Sequence, residues 1–205
     1  IKIQRDRHEG ILTPSENYFL NIVELSEGNK DSSFNIYLSP IVLDIINKIK
    51  LNSISLEKIC YCTVGINTGY IKSELTSNNK INDSYHKVLN GKDIGRNIIN
   101  WAGEWIMYDN DFVKSKGELG RTLPDKKIFE ENKILVQRTR RGLKRKLVCC
   151  YDNERYYNLN RLSNIILKDQ SYDLYYIYAI LNSLLLDYYF NKVFNEYEIK
   201  PAHLN

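Results

Sequence analysis

Two β-rich runs, NKILVQRT from Asn132 to Thr139 and KLVCCYD from Lys146 to Asp152, lie on either side of Arg140, Arg141, Gly142, Leu143, Lys144 and Arg145. Branched and apolar residues dominate both runs, and the glycine between them supplies the backbone freedom that a reversal needs. The chain must therefore turn back on itself here and pair its flanks antiparallel. The same stretch carries six basic residues in the nine positions from Arg138 to Lys146, with no acid among them. A strand pair tipped with that much positive charge suits phosphate neutralisation, and an arginine fork can also grip a guanine edge. Contact with a protein or a membrane surface is the alternative use, and a solvated turn that keeps a sheet edge soluble is the plain one.

The chain has 205 residues, enough for one main core with a smaller satellite. Hydrophobic residues at 43% and charged residues at 26% fit a globular domain rather than a disordered one. Net charge is only +4, so an electrostatic argument rests on clustering and not on the total. The four cysteines, Cys60, Cys62, Cys149 and Cys150, lack zinc-site spacing and read as strand thiols. No signal peptide opens the sequence, and its apolar runs fall short of the ~20 residues that cross a bilayer. A reducing cytoplasm and no membrane partner are the expectation. The chain begins at Ile1 and ends in KPAHLN, which reads as a segment cut from a larger protein.

Periodicity divides the rest. The first forty residues alternate short apolar stretches with turn signals and suit a few short strands or a connecting arm. SPIVLDIINKIK, from Ser39, sets a serine before a proline and then places Val42, Ile45, Ile46 and Ile49 at helical intervals. SLEKICYCTVGINTGY reads as a buried strand ending in a tight loop, WAGEWIMYD as an aromatic strand, and YYNLNRLSNIIL as a further strand region. From Asp173 to Glu196, apolar residues recur at three and four, predicting one long helix against the core. The fold class is α+β: a curved, mostly antiparallel sheet with a short helix in the N-terminal half and a long C-terminal helix packed on it.

Few catalytic patterns appear. Asp125, Glu131 and Lys133 are the residue types that magnesium-dependent nucleases use, but only five residues separate the two acids, where two adjacent strands are normally needed. A charged loop entering KILVQR explains the same letters. His8, His86 and His203 have neither metal-ligand spacing nor a nucleophile context. The glycines of GINTGY can admit a phosphate beside Asn67 and Thr68, or can simply serve a turn. Trp101 and Trp105 share a face on a strand reading and suit a core or cleft wall better than a base-stacking platform.

The order of these words carries more than any one of them. SLEKICYCTVGINTG, YHKVLNGKDIGRN, WIMYD, FEENKILVQRT, YYNLNRLSNIIL and YAILNSLLLDYYF together resemble the TaqI-like C-terminal specificity domain, from about Ser39 to the end. That family supplies target recognition to adenine-specific DNA methyltransferases and to fused restriction-modification enzymes. The resemblance implies double-stranded DNA as partner, and a methyltransferase domain in the same chain or in a separate subunit. It implies S-adenosylmethionine for the parent protein, with Mg2+ if a nuclease accompanies it, and no cofactor in this segment. The family's catalytic Asn/Asp-Pro-Pro-Tyr/Phe motif is missing, because Pro14, Pro40, Pro124 and Pro201 stand alone. The expected division is a connecting arm over 1–38 and a recognition domain over 39–205, without catalytic or metal residues.

Within that domain the candidate DNA contacts are Gln137, Arg138, Arg140 and Arg141 for bases or phosphates, and Lys144, Arg145 and Lys146 for phosphates. Lys92, Arg96 and Thr68 join them because the resemblance puts their loops near DNA. A specificity module of a multi-subunit restriction system, a small metal-dependent nuclease and a non-nucleic-acid interaction module are the other readings.

Overall fold

A computed structural model describes residues 39–117, 122–139, 142–143, 145–194 and 196–204, and the backbone of 2–6 and 14–19. Arg140, Arg141 and Lys144 lie outside the described residues. The chain divides into two compact units, residues 1–54 with 191–195, and residues 55–190 with 196–205.

In the first unit, β1 (Lys2–Asp6) and β2 (Pro14–Phe19) pair antiparallel. Helix α1 (Pro40–Leu51) starts as its sequence requires, with Ser39 extended at the N-cap and Pro40 in the first turn. Ile46 is buried and Val42, Ile45 and Ile49 are half-buried, so the predicted stripe is the covered face. Lys48 and Lys50 occupy the last turn, where positive charge offsets the helix dipole.

The second unit runs in chain order through β3 (Cys60–Val64), α2 (Lys72–Leu75), β4 (Thr76–Ser77), β5 (Tyr85–Leu89), β6 (Ile94–Gly95), β7 (Ile98–Ile99) and β8 (Trp105–Met107). It continues through α3 (Asn110–Ser115), α4 (Lys127–Glu130), β9 (Lys133–Gln137), β10 (Cys149–Asp152), β11 (Tyr157–Asn158) and β12 (Leu162–Leu167). It ends with α5 (Leu174–Leu181), α6 (Leu184–Val193), whose last residues fall in the first unit, and α7 (Pro201–Leu204). The α+β class holds, and the predicted hairpin is there, with Cys149 opposite Val136 and Asp152 opposite Lys133. Gly142 takes a positive φ of 75° in its turn, the conformation for which a glycine was needed.

Hydrogen bonding distributes the strands among more than one sheet. An antiparallel sheet has the order β10-β9-β12-β3, and a second has the order β11-β5-β8-β4, in which β11 runs parallel to β5. Because β11 and β12 are consecutive, one short connection passes from the second sheet to the first. One core cluster gathers Ile66, Ile71, Leu75, Val88, Ile106 and Phe129, and another gathers Leu89, Ile94, Leu135, Cys150, Tyr156 and Leu162. Trp101 packs against the latter and meets Trp105 edge to face at 5.4 Å, so the tryptophans are a core wall. Trp101 itself precedes the strand that begins at Trp105.

The expected single C-terminal helix is broken at Asn182 and Ser183. Asn182 caps α5, its amide bonding back to the Tyr178 carbonyl at 3.1 Å, and the Ser183 hydroxyl accepts from the Leu186 amide at 3.2 Å to start α6. Residues whose side chains compete for backbone partners favour ends over interiors, and two in succession divide the helix. The predicted stripe does not run on through the break: Leu174, Ile177 and Leu181 are buried and Leu184 is 70% exposed, while α6 buries Phe190. Tyr175 from α5 stacks on Tyr151 of β10 at 4.0 Å, fixing the helix on the first sheet.

Candidate nucleic-acid interface

Register alone gathers the loops. Val64 ends β3 opposite Ser163, Gln137 ends β9 opposite Leu162, and Leu89 ends β5 beside Asn158. The loops after β3, β5 and β9 and the turn entering β12 therefore leave the two sheets at one end. Their meeting point is the short segment Asn158–Arg161.

The Ile66 amide donates to the Asn158 carbonyl at 2.8 Å and the Asn160 amide to the Ile66 carbonyl at 2.9 Å, which docks the GINTGY loop. A β-carbon on Gly65 would fall within 3.0 Å of the Asn158 and Leu159 carbonyls. This glycine is thus spent on a close approach of two backbone segments, and the phosphate-cradle reading of the loop loses it. Thr68 is half-buried in that loop and Asn67 forms a local turn with the Gly69 amide at 3.2 Å. On another side, the Leu159 amide donates to the Leu89 carbonyl at 2.9 Å, and a β-carbon on Gly91 would lie 3.1 Å from Arg161 Cβ. Reciprocal bonds between Asn90 and Asp93 hold the single turn that carries Lys92, leaving that lysine exposed. Finally, the Arg138 amide donates to the Arg161 carbonyl at 3.0 Å and its guanidinium to the Asn160 carbonyl.

The cations of this end fall into two groups. Arg138 is half-buried and pairs with Glu198 at 3.0 Å. Arg96 sits in the two-residue turn between β6 and β7, whose Asn97 takes a φ of 63°, and donates to the Asn182 carbonyl at 3.1 Å. Arg145 donates to the same carbonyl at 3.2 Å, and Lys146 Nζ to the Leu143 carbonyl at 2.9 Å. Two guanidinium groups thus converge on the carboxyl end of α5, where positive charge is favoured. Lys92 and Arg161 form the other group, exposed at the meeting point itself, whereas Arg96 is exposed but held by its bond to Asn182. Gln137 is half-buried at the end of its strand. Arg161 is not among the sequence candidates because YYNLNRLSNIIL reads as one strand region, whereas the structure divides it into β11 and β12 with Arg161 in the turn between them, a turn that the asparagines of NLNR could have signalled.

The nuclease reading fails at Lys133. Its Nζ lies 2.7 Å from Asp152 Oδ2 with both side chains fully buried, and it also donates to the Phe129 carbonyl at 2.9 Å. A lysine so held cannot orient a hydrolytic water. Among the described residues, no group of three or more His, Cys, Asp or Glu could hold a metal ion. No helix among them is long and apolar enough to cross a membrane. The cysteines are free, with Cys60, Cys149 and Cys150 buried and Cys62 half-buried in their strands. Burial pushes the Cys60 thiol up to about 11 and the Cys62 and Cys150 thiols up to about 12, while Cys149 rises further in the same direction. Such thiols are poor nucleophiles and poor metal ligands.

The loops after β3, β5 and β9 and the exposed Lys92 and Arg161 thus come together at one end of a mixed α+β fold. The sequence profile of the TaqI-like C-terminal specificity domain matches residues 86–205, and the chain belongs to that family, whose members read DNA sequence for restriction-modification enzymes. The matched span begins at His86, later than the resemblance from about Ser39, so the GINTGY loop precedes it. No curated protein matches the chain.

Proposed function

We propose that this chain recognises duplex DNA in a sequence-specific manner and sets a target adenine into the site of a methyltransferase module outside the 205 residues. The observation that carries this reading is the convergence of the loops after β3, β5 and β9 on the turn Asn158–Arg161, with Lys92 and Arg161 exposed there, in a member of a DNA-specificity family. Duplex bases are reached through the grooves, and an adenine must leave the stack before its amino group can be methylated. The module supplies grip and register, while chemistry belongs to the partner. S-adenosylmethionine and any Mg2+ are accordingly assigned to that partner, which works in the cytoplasm as part of the same polypeptide or as a companion subunit. A nuclease directed by the same recognition fits the proposal without altering this chain's role.

Arg140, Arg141 and Lys144, which lie outside the described residues, are proposed from their place in the basic run of the sequence to meet phosphates. The test is selection of bound sequences from a randomised duplex pool at two salt concentrations. Enrichment of a short motif, with affinity falling steeply as salt rises, is expected, and reversing Arg140 and Arg141 to Glu should flatten the log-log salt slope by about 2, at about 0.9 per phosphate. Salt-insensitive binding, or unchanged binding by the reversed variant, would refute the assignment.

A further inference from the structure

The turn at the meeting point of the loops is held by its own backbone. The Leu162 amide donates to the Leu159 carbonyl at 3.0 Å, which makes Asn160 and Arg161 the two central residues. The Asn160 amide is taken by the Ile66 carbonyl and its carbonyl by the Arg138 guanidinium, while the Arg161 carbonyl accepts the Arg138 amide at 3.0 Å. Neighbouring segments thus fix the backbone from which these two side chains project. Other turn asparagines in the chain spend their side chains on the backbone: Asn67 and Asn82 accept the amides of Gly69 and Ser84, two positions on, at 3.2 and 2.9 Å. Asn158 is buried and donates to the Leu162 carbonyl at 3.3 Å. Asn160 differs from all three, being half-buried with no hydrogen-bond partner for its side-chain amide among the described residues.

We infer, resting on the DNA-reading proposal, that Asn160 is a specificity-determining residue whose side-chain amide reads an adenine of the recognised duplex through its major-groove edge. A carboxamide presents a donor and an acceptor side by side, and adenine offers N7 as acceptor next to its amino group as donor. Guanine presents two acceptors there and suits an arginine instead. An unspent amide on a clamped turn breaks no protein contact before it meets a base, and little ordering is left to be done on binding. Arg161, the next residue, is exposed and is placed to supply charge for phosphate, which carries no sequence information. Reading and grip thus fall to adjacent residues of one turn.

The test puts the full chain, Asn160→Ala and Asn160→Asp each to a randomised duplex pool, with the bound sequences read and the thermal midpoint measured beside them. The original chain should enrich a motif in which at least one A·T pair is preferred about tenfold over the alternatives. Asn160→Ala should lose that preference at one A·T pair and keep the rest of the motif, with an unchanged midpoint, because the side chain is not spent on the fold. Asn160→Asp keeps a turn-forming residue but lacks the amide donor and should lose the same preference, so it decides the matter should Asn160→Ala fail to fold. A motif unchanged in either folded variant overturns the inference, as does a preference lost only at G·C pairs. Preference lost evenly across the motif with a lower midpoint also overturns it, since the residue then serves the turn. Each of these leaves DNA reading standing, whereas an original chain that enriches no motif refutes that reading and the role of Asn160 with it.

Discussion

Lys133 Nζ and Asp152 Oδ2 form a 2.7 Å ion pair with neither side chain exposed, at the end of the β9-β10 hairpin away from its basic turn. Burial is the dominant influence on both: it lowers the Lys133 pKa and raises that of Asp152, against their mutual attraction. The carboxylate also accepts the Glu154 and Tyr156 amides at 3.0 Å each, so it organises the turn that follows β10. Replacing Lys133 by Met leaves a buried carboxylate without its counter-ion, a change that costs about 3–5 kcal/mol. Urea unfolding should show that loss as a lower midpoint. Asp125→Ala, by contrast, should leave stability and DNA binding close to those of the original chain, because Asp125 is exposed and its carboxylate accepts the Lys127 amide in a local turn. Magnesium-dependent cleavage abolished by Asp125→Ala would restore the nuclease reading.

Gly65 offers a second test. Its missing side chain admits Asn158 and Leu159, and a methyl group there must push the two backbones apart. Gly65→Ala is expected to destabilise the fold by about 1–3 kcal/mol, the cost of overpacking, and to weaken DNA binding by loosening the meeting point of the loops. A variant of unchanged stability would mean that the two segments separate freely.

What could be read from the sequence follows from what is local. The hairpin was legible because both β-rich strands and the glycine between them lie within about twenty residues. Helix α1 was legible because Ser39, Pro40 and the apolar stripe all agree. The C-terminal break was hidden: Leu181, Leu184, Leu185 and Tyr188 continue the helical spacing, and only Asn182 and Ser183 interrupt it, through bonds that periodicity does not register. The site was half-legible for a related reason. Charge density pointed to the basic turn, but the carbonyls that hold the guanidinium groups of Arg96, Arg138 and Arg145 come from partners 22 to 86 positions away. No window of sequence reports those partners.

The cysteines predict a response to alkali. The folded pKa of Cys60 is raised from 9.0 to about 11, and those of Cys62 and Cys150 to about 12, so the folded chain holds these protons more tightly than the unfolded one. Their contribution is complete below the ordinary thiol value and is lost as pH climbs from about 9 through the raised values. The urea midpoint should therefore fall between about pH 8 and about pH 10, and thiol reagents should label the native chain far more slowly than the unfolded chain. Equal labelling rates would show that the thiols are not buried as described.

The division of the cations into those held by protein contacts and those exposed at the meeting point gives the last prediction. Arg161 and Lys92 are exposed where the loops meet, whereas Arg138 spends its guanidinium on Glu198 and the Asn160 carbonyl and its own carbonyl on the Ile199 amide at 2.7 Å. Exposed cations can neutralise phosphate without first breaking a contact. Arg161→Ala and Lys92→Ala should each lower duplex affinity and flatten the salt slope by about 0.9, with no change in the thermal midpoint. Arg138→Ala should lower the thermal midpoint as well, because it frees Glu198 and removes a tie between the β9 end and the Asn160 turn. If Arg161→Ala unfolds the chain instead, or leaves the salt slope untouched while Arg138→Ala flattens it, the two groups have been assigned the wrong way round. The DNA would then enter by displacing Glu198 from Arg138, making that ion pair the element that binding has to open.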